Sequence, residues 1–131
     1  MPARGAEALI TYGCDASRWQ GLLNWTKLRA KGIEFAGLRA TMGAEGVDPL
    51  YAKQRAAAEK AGVLVISYGL IYPRPGTGGA QANHLARTAG MGSILSGDAE
   101  PPDGFPPALP AVWREVARIF CMAACPAWRR S

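Results

Sequence analysis

Apolar and polar positions change period several times between residues 12 and 125. The stretch "IEFAGLRAT" (33–41) alternates as a strand does. "VLVISYGLIY" (63–72) is a β-branched and aromatic run, apolar on both faces. That suits a central parallel strand covered on both sides. "YGCDAS" (12–17) and "GSILSGDAE" (92–100) are shorter and mixed, and both read as strands. Helical stretches lie between them. "NWTKLRAKG" (24–32) has Asn24 as an N-cap and Gly32 as a stop signal. "DPLYAKQRAAAEKAG" (48–62) opens on Asp48 as an N-cap, with Pro49 at the first helical position, and closes on Gly62. "AQANHLARTAG" (80–90) again ends in glycine. In "LPAVWREVARIFCMAAC" (109–125), Val112, Trp113, Val116, Ile119, Phe120 and Ala123 recur at helical spacing. Arg114, Glu115 and Arg118 fall opposite them, and Pro126 ends the helix.

Four β-then-α units result, with strands starting near 12, 33, 63 and 92. Right-handed crossovers make such strands parallel. The class is α/β, and two folds fit: an open doubly wound sheet, or a partial β/α barrel. Both place chemistry at the carboxyl ends of the strands. At 131 residues the chain is one domain by length. Residues 1–11 read as a loose leader, 12–125 as the domain and 126–131 as a tail. Glycine and proline cluster in 73–79 and 101–110, which read as loops.

The strand ends carry acids. Residues two apart on a strand share a face, so Asp98 and Glu100 point the same way, with Cα atoms ~6.5–7 Å apart. Asp15 falls near the end of the first strand, with Ser17 on its face. Paired carboxylates are what glycoside hydrolysis needs: one donates a proton to the leaving oxygen, and the other stays charged beside the cationic sugar. Crowding like charges raises one pKa. The competing reading is a pair of solvated loop acids before Pro101 and Pro102, and the pair alone leaves both open. Trp19, Trp25, Tyr68 and Tyr72 could stack on sugars or fill the core. Tyr68 is the best placed for a site, and Trp25 reads as core.

Composition narrows the partners. Hydrophobic content of 49% against 19% charged residues is that of a globular chain. A net charge of +5 favours acidic partners such as nucleic acid, anionic lipid or an anionic cell wall. The cations are spread out, and no basic run interleaves with aromatics as a nucleic-acid groove requires. Cys14, Cys121 and Cys125 make no disulfide framework, and His84 stands alone. No metal is expected, and the cysteines read as small buried thiols. No run approaches the ~18 apolar residues of a membrane span. "MPARGAEALITYG" lacks the apolar core of a secretory signal.

The separate stretches also form an ordered set. "YGCDASRWQG", "NWTKLRAKGIEFAGLRATMG", "DPLYAKQRAAAEKAGVLVISYG", then "QA" and "GDAE", resemble the N-terminal part of the glycoside hydrolase family 25 lysozymes, the Chalaropsis-type muramidases of phage endolysins, autolysins and fungi. The resemblance runs from Tyr12 to Glu100. It implies a distorted β/α barrel that cleaves the β-1,4 bond between N-acetylmuramic acid and N-acetylglucosamine in peptidoglycan, without metal or cofactor. It implies Glu100 as general acid, Asp98 as its charged partner and Asp15 as a third site carboxylate. It implies Tyr68, Ser17 and Gln20 as substrate-binding residues. A cytoplasmic product released to the cell wall is the expected location, with an extracellular product as the alternative.

The chain departs from the family pattern in three places. The histidine of a "YH" pair is replaced by Gly69, which removes a polar site group. The apolar residue before the acid of "DxE" is Gly97, which leaves that strand poorly padded. A family domain continues through further strands, where this chain has one more helix and "CPAWRRS". A truncated barrel exposes the edges of its first and fourth strands, which invites pairing with a second copy. The readings are therefore an active muramidase, a truncated inactive remnant with weak glycan binding, or a basic interaction module whose acids are incidental.

Overall fold

The computed structural model describes residues 10–100 and 110–124. The expected leader, the loop before the last helix and the tail fall almost wholly outside the described residues. The strands are β1 (Tyr12–Ala16), β2 (Ile33–Met42), β3 (Gly46–Val47), β4 (Leu64–Leu70) and β5 (Ile94–Asp98). They make one sheet in the order β1-β2-β4-β5, all parallel, with β3 antiparallel on the end of β2. The helices are α1 (Trp25–Ala30), α2 (Tyr51–Lys60), α3 (Gly78–Ala89) and α4 (Pro110–Ala124). A short 3-10 turn covers Arg18–Gln20. This is the partial β/α barrel of four parallel units; β3 was not foreseen.

The two faces of the sheet have different jobs. Ala16, Ala36, Leu38 and Val65 point to one side and are buried with Trp25, Tyr51, Ala58, Ala82, Leu85, Val116 and Phe120 from the helices. The next residues along each strand point the other way. On that side Leu64 and Ile94 stay about half exposed, at 56% and 48%. The expectation that β4 is covered on both faces is therefore corrected: the helices cover one face, as in a barrel wall.

Local signals explain both ends of α1. Asn24 Oδ1 accepts from Lys27 N–H at 3.1 Å and starts α1. Gly32 ends the turn after it with φ +103°, a conformation open to glycine. Asp48 does not cap α2. The helix begins at Tyr51, with Leu50 at the N-cap position and no side-chain cap. Asp48 Oδ1 instead accepts from Leu50 N–H at 3.0 Å, closing an Asx-type turn. Its other oxygen accepts from Arg39 Nε at 3.1 Å and from Arg18 N–H at 2.9 Å. Asp48 and Arg39 are 2% and 8% exposed. Gln54, also buried, ties the segment before α1 to α2. Its Oε1 accepts from Trp25 Nε1 at 2.8 Å and Leu23 N–H at 3.2 Å, while its Nε2 donates to Gly21 O at 2.6 Å.

The last helix pads the strand that carries the acids. Val116, Phe120 and Ala124 are its buried residues, while Arg114, Glu115 and Arg118 are exposed as the spacing predicted. A Cβ on Gly97 would sit 2.6 Å from Ile71 Cδ1 and 2.9 Å from Phe120 Cε1. On the helix side of Gly97 the space a side chain would fill is thus already taken, while Ile94, Ser96 and Gly97 themselves stay exposed. The cysteines differ from expectation as well. Cys121 is exposed, Cys14 is partly buried, and Cys125 lies outside the described residues.

Removing one partner of a buried ion pair strands the other. Asp48→Ala is expected to destabilise the fold by about 3–5 kcal/mol, read from the urea midpoint, because Arg39 is left charged and buried. A loss below about 1 kcal/mol, the size of an exposed pair, would refute that account.

Candidate active site

The carboxyl ends of the parallel strands open onto a cavity of about 650 Å³. Asp15 reaches it from β1, Tyr68 from β4 and Asp98 from the last residue of β5, and Glu100 joins them from just beyond that strand. The expected strand through residue 100 stops at Asp98, so strand alternation does not place Glu100. It reaches the cavity from the segment that follows. Phe35 and Ile66 supply an apolar floor. Gly37 keeps that floor low: a Cβ there would lie 3.7 Å from both Asp15 Cβ and Tyr68 Cδ1. Asp15 and Tyr68 therefore flank one glycine.

The charges act on one another. Burial holds the Asp98 carboxyl above its ordinary pKa, helped by the negative charges of Glu100 and Asp15 and opposed by Arg39. Tyr68 is raised too, first by burial and then by Asp15, Asp98 and Asp48, again against Arg39. The Cys14 thiol is raised by burial and by Asp15. Asp15 and Glu100 themselves are exposed.

Arg39 was not singled out in the sequence. It pairs in register with Tyr68 and shares its face of the sheet. Its Nε binds Asp48, while its Nη2 is buried without a hydrogen-bond partner. A charged residue inside the alternating run "IEFAGLRAT" was the available signal, since a buried arginine needs an acid nearby. A register shift between Arg39 and Thr41 makes Ala40 the extra residue of a β-bulge.

Ser17 and Gln20 do not line the cavity. They clasp each other: Gln20 Oε1 accepts from Ser17 N–H at 2.7 Å and from Ser17 Oγ at 3.2 Å. Position 69 is also placed differently from expectation. A Cβ there would meet Thr41 Oγ1 at 2.7 Å and Leu85 Cδ2 at 3.5 Å, so it faces the helices, not the cavity. Trp25 is buried core at 2%. Trp19 is 72% exposed, with the Arg18 guanidinium 4.7 Å from its ring centre. Tyr72 lines a second cavity of about 490 Å³ with Met42, Glu45 and Arg74. Among the described residues no group of three or more His, Cys, Asp and Glu side chains could hold a metal ion. Nor is any helix among them long and apolar enough to cross a membrane.

The model of the glycosyl hydrolases family 25 matches residues 14–100, the span from β1 to Glu100. The chain belongs to that family. It is 33% identical over 85 residues to Lysozyme M1 of Streptomyces globisporus, covering 65% of this chain and 29% of that protein. The bacterial lysozyme of Streptomyces coelicolor superimposes with a TM-score of 0.77 at 25% identity, covering 86% of this chain and 56% of that one. The family 25 lysozyme of Aspergillus fumigatus shares the fold, with a TM-score of 0.78 at 22% identity over 88% of this chain and 59% of its own. This family 25 chain thus spans well under two thirds of the length of these relatives.

The raised Asp98 carboxyl carries a sign for stability. A group that binds its proton more tightly when folded stabilises the fold below its unfolded pKa, and that stability is lost as pH rises through the folded value. At neutral pH Asp98 is therefore a cost to the fold. Asp98→Asn is expected to raise Tm near neutral pH and to leave it unchanged in acid, below the ordinary carboxylate range. A lower Tm for the variant at neutral pH would show that Asp98 is favourably paired instead.

Proposed function

We propose that this chain is a peptidoglycan muramidase that cleaves the β-1,4 bond between N-acetylmuramic acid and N-acetylglucosamine. The observation that carries the reading is the convergence of Asp15, Asp98, Glu100 and Tyr68 on one cavity at the carboxyl ends of the strands. Glu100 is the proton donor to the leaving oxygen, and Asp98 is the charged partner. In the free protein burial, Glu100 and Asp15 disfavour the charge on Asp98 and raise its pKa. Positive charge developing on the sugar ring offsets that cost, so the Asp98 carboxylate is better stabilised as the bond breaks. Asp15 adds to the negative field, and Tyr68 offers a ring face to the sugar. Family membership and the net charge of +5, suited to an anionic wall, support action at the cell wall. A product held in the cytoplasm until release fits that use.

A second reading, glycan binding without turnover, is favoured by the exposure of Asp15 and Glu100 on an open cavity. Catalytic groups need tight placement, and ~1 Å of displacement costs about 100-fold in rate. Pairing of the β1 and β5 edges between two copies would enclose the cavity; sedimentation at the assay concentration reports it.

The test is release of reducing ends from purified peptidoglycan. Wild type is expected to release them, and Glu100→Gln to lose about 10²–10⁴-fold, the range of general acid catalysis. Co-sedimentation with peptidoglycan but no reducing ends from folded wild type would establish the second reading and overturn the first.

A further inference from the structure

We propose that Phe120 of α4 is a positioning residue for the candidate active site, its ring setting from behind the places of Asp98 and Tyr68. The proposal rests on the reading of Asp98 and Tyr68 as site residues. Its basis is strand alternation. Tyr68 and Asp98 face the cavity; a Cβ on their neighbours Gly69 and Gly97 would point to the helices, while the Gly97 backbone also borders the cavity. Gly69 and Gly97 are register partners on adjacent strands. Two bare backbones side by side make a flat patch directly behind the two site residues.

The Phe120 ring covers that patch. A Cβ on Gly97 would lie 2.9 and 3.1 Å from its Cε1 and Cδ1, and a Cβ on Gly69 would lie 3.6 Å from its Cζ. Ile71 Cδ1 and Leu85 Cδ2 close the sides, 2.6 Å and 3.5 Å from those two Cβ positions. Phe120 itself is 1% exposed. One aromatic ring thus stands where two neighbouring strands lack side chains.

The helix bearing the ring is itself fixed at close range. A Cβ on Gly78, the first residue of α3, would lie 2.6 Å from Val116 O and 3.1 Å from Phe120 N. Backbone therefore meets backbone where α3 and α4 touch, and the height of Phe120 over the sheet is set there.

The site depends on this support because β5 is an edge strand. Among the described residues its only strand partner is β4. Asp98 is its last residue, held on one side by pairing with Leu70 and by Ile71 N–H donating to Asp98 O at 2.8 Å. Interiors pack densely, so a gap behind an edge strand lets the strand move into it.

The test uses the full chain and reads the titration of the Asp98 carboxyl by ¹³C NMR, with Tm measured in parallel. The groups that face Asp98 are Glu100, Asp15, Arg39 and Tyr68, and none is altered. Phe120→Leu is expected to move the Asp98 midpoint downward, as the loosened strand admits water and draws away from Glu100 and Asp15. Gly97→Ala alone, which pushes on Ile71 Cδ1 and on the same ring, is expected to move it as well. The double variant Phe120→Leu with Gly97→Ala, which refills part of the gap and leaves only the Ile71 contact, is expected to return it toward the wild-type value. A lowered Tm with an unmoved Asp98 midpoint in both single variants would overturn the proposal, leaving Phe120 a core residue only. Failure of the double variant to restore the midpoint would overturn it too. The readout needs no turnover, so a wild type that releases no reducing ends tells against the muramidase reading and leaves this test intact.

Discussion

A single buried carboxylate holds the upper end of this half barrel together. Asp48 accepts hydrogen bonds from the turn after β1, from the arginine of β2 and from its own chain two residues on. Its backbone N–H donates to Ala40 O at 2.9 Å, at the bulge of β2. Desolvating a carboxylate costs several kcal/mol unless its oxygens are satisfied, and here both oxygens are. The same contact holds Arg39 next to Tyr68, where its positive charge opposes the rise in both Tyr68 and Asp98. One ion pair thus ties the loop architecture to the electrostatics of the cavity.

The second constraint is the division of labour across the sheet. Away from the bulge at Ala40, strand side chains alternate between two faces. On the helix side, alanines and glycines of the strands let α3 and α4 come close. On the cavity side, the acids and Tyr68 stand over Gly37 and an apolar floor. A substitution on one face is therefore felt on the other through the backbone they share, and nowhere more than at Gly97 and Asp98.

The periodic features of the fold were legible in the sequence. Four strands and four helices follow from alternation, helical spacing and glycine stops, and right-handed crossovers order them. The gathering of Asp15, Asp98 and Glu100 follows from chain direction in a parallel sheet. What was not legible depends on contacts distant in sequence. Asp48 before Pro49 has every local mark of a helix cap, yet Arg39 and Arg18 take it for a tertiary contact. Gly69 and Gly97 look like losses in a one-dimensional pattern, because nothing local shows a phenylalanine from α4 behind them. Ser17 and Gln20 carry a local signal, but it is that of a capping box, which uses their polar atoms on each other.

The membership in family 25 and the geometry of the cavity both support the proposed reading, that a glycan binds at the carboxyl ends of the strands. Mapping amide shifts of the full ¹⁵N-labelled chain on addition of a soluble N-acetylmuramic acid–N-acetylglucosamine oligomer tests that claim most directly. The account predicts shifts at Asp15, at Tyr68 and along Ser96–Glu100, with the solvent side of α2 and α3 silent. Shifts confined to the helical surface, or none with the oligomer in excess, would contradict it.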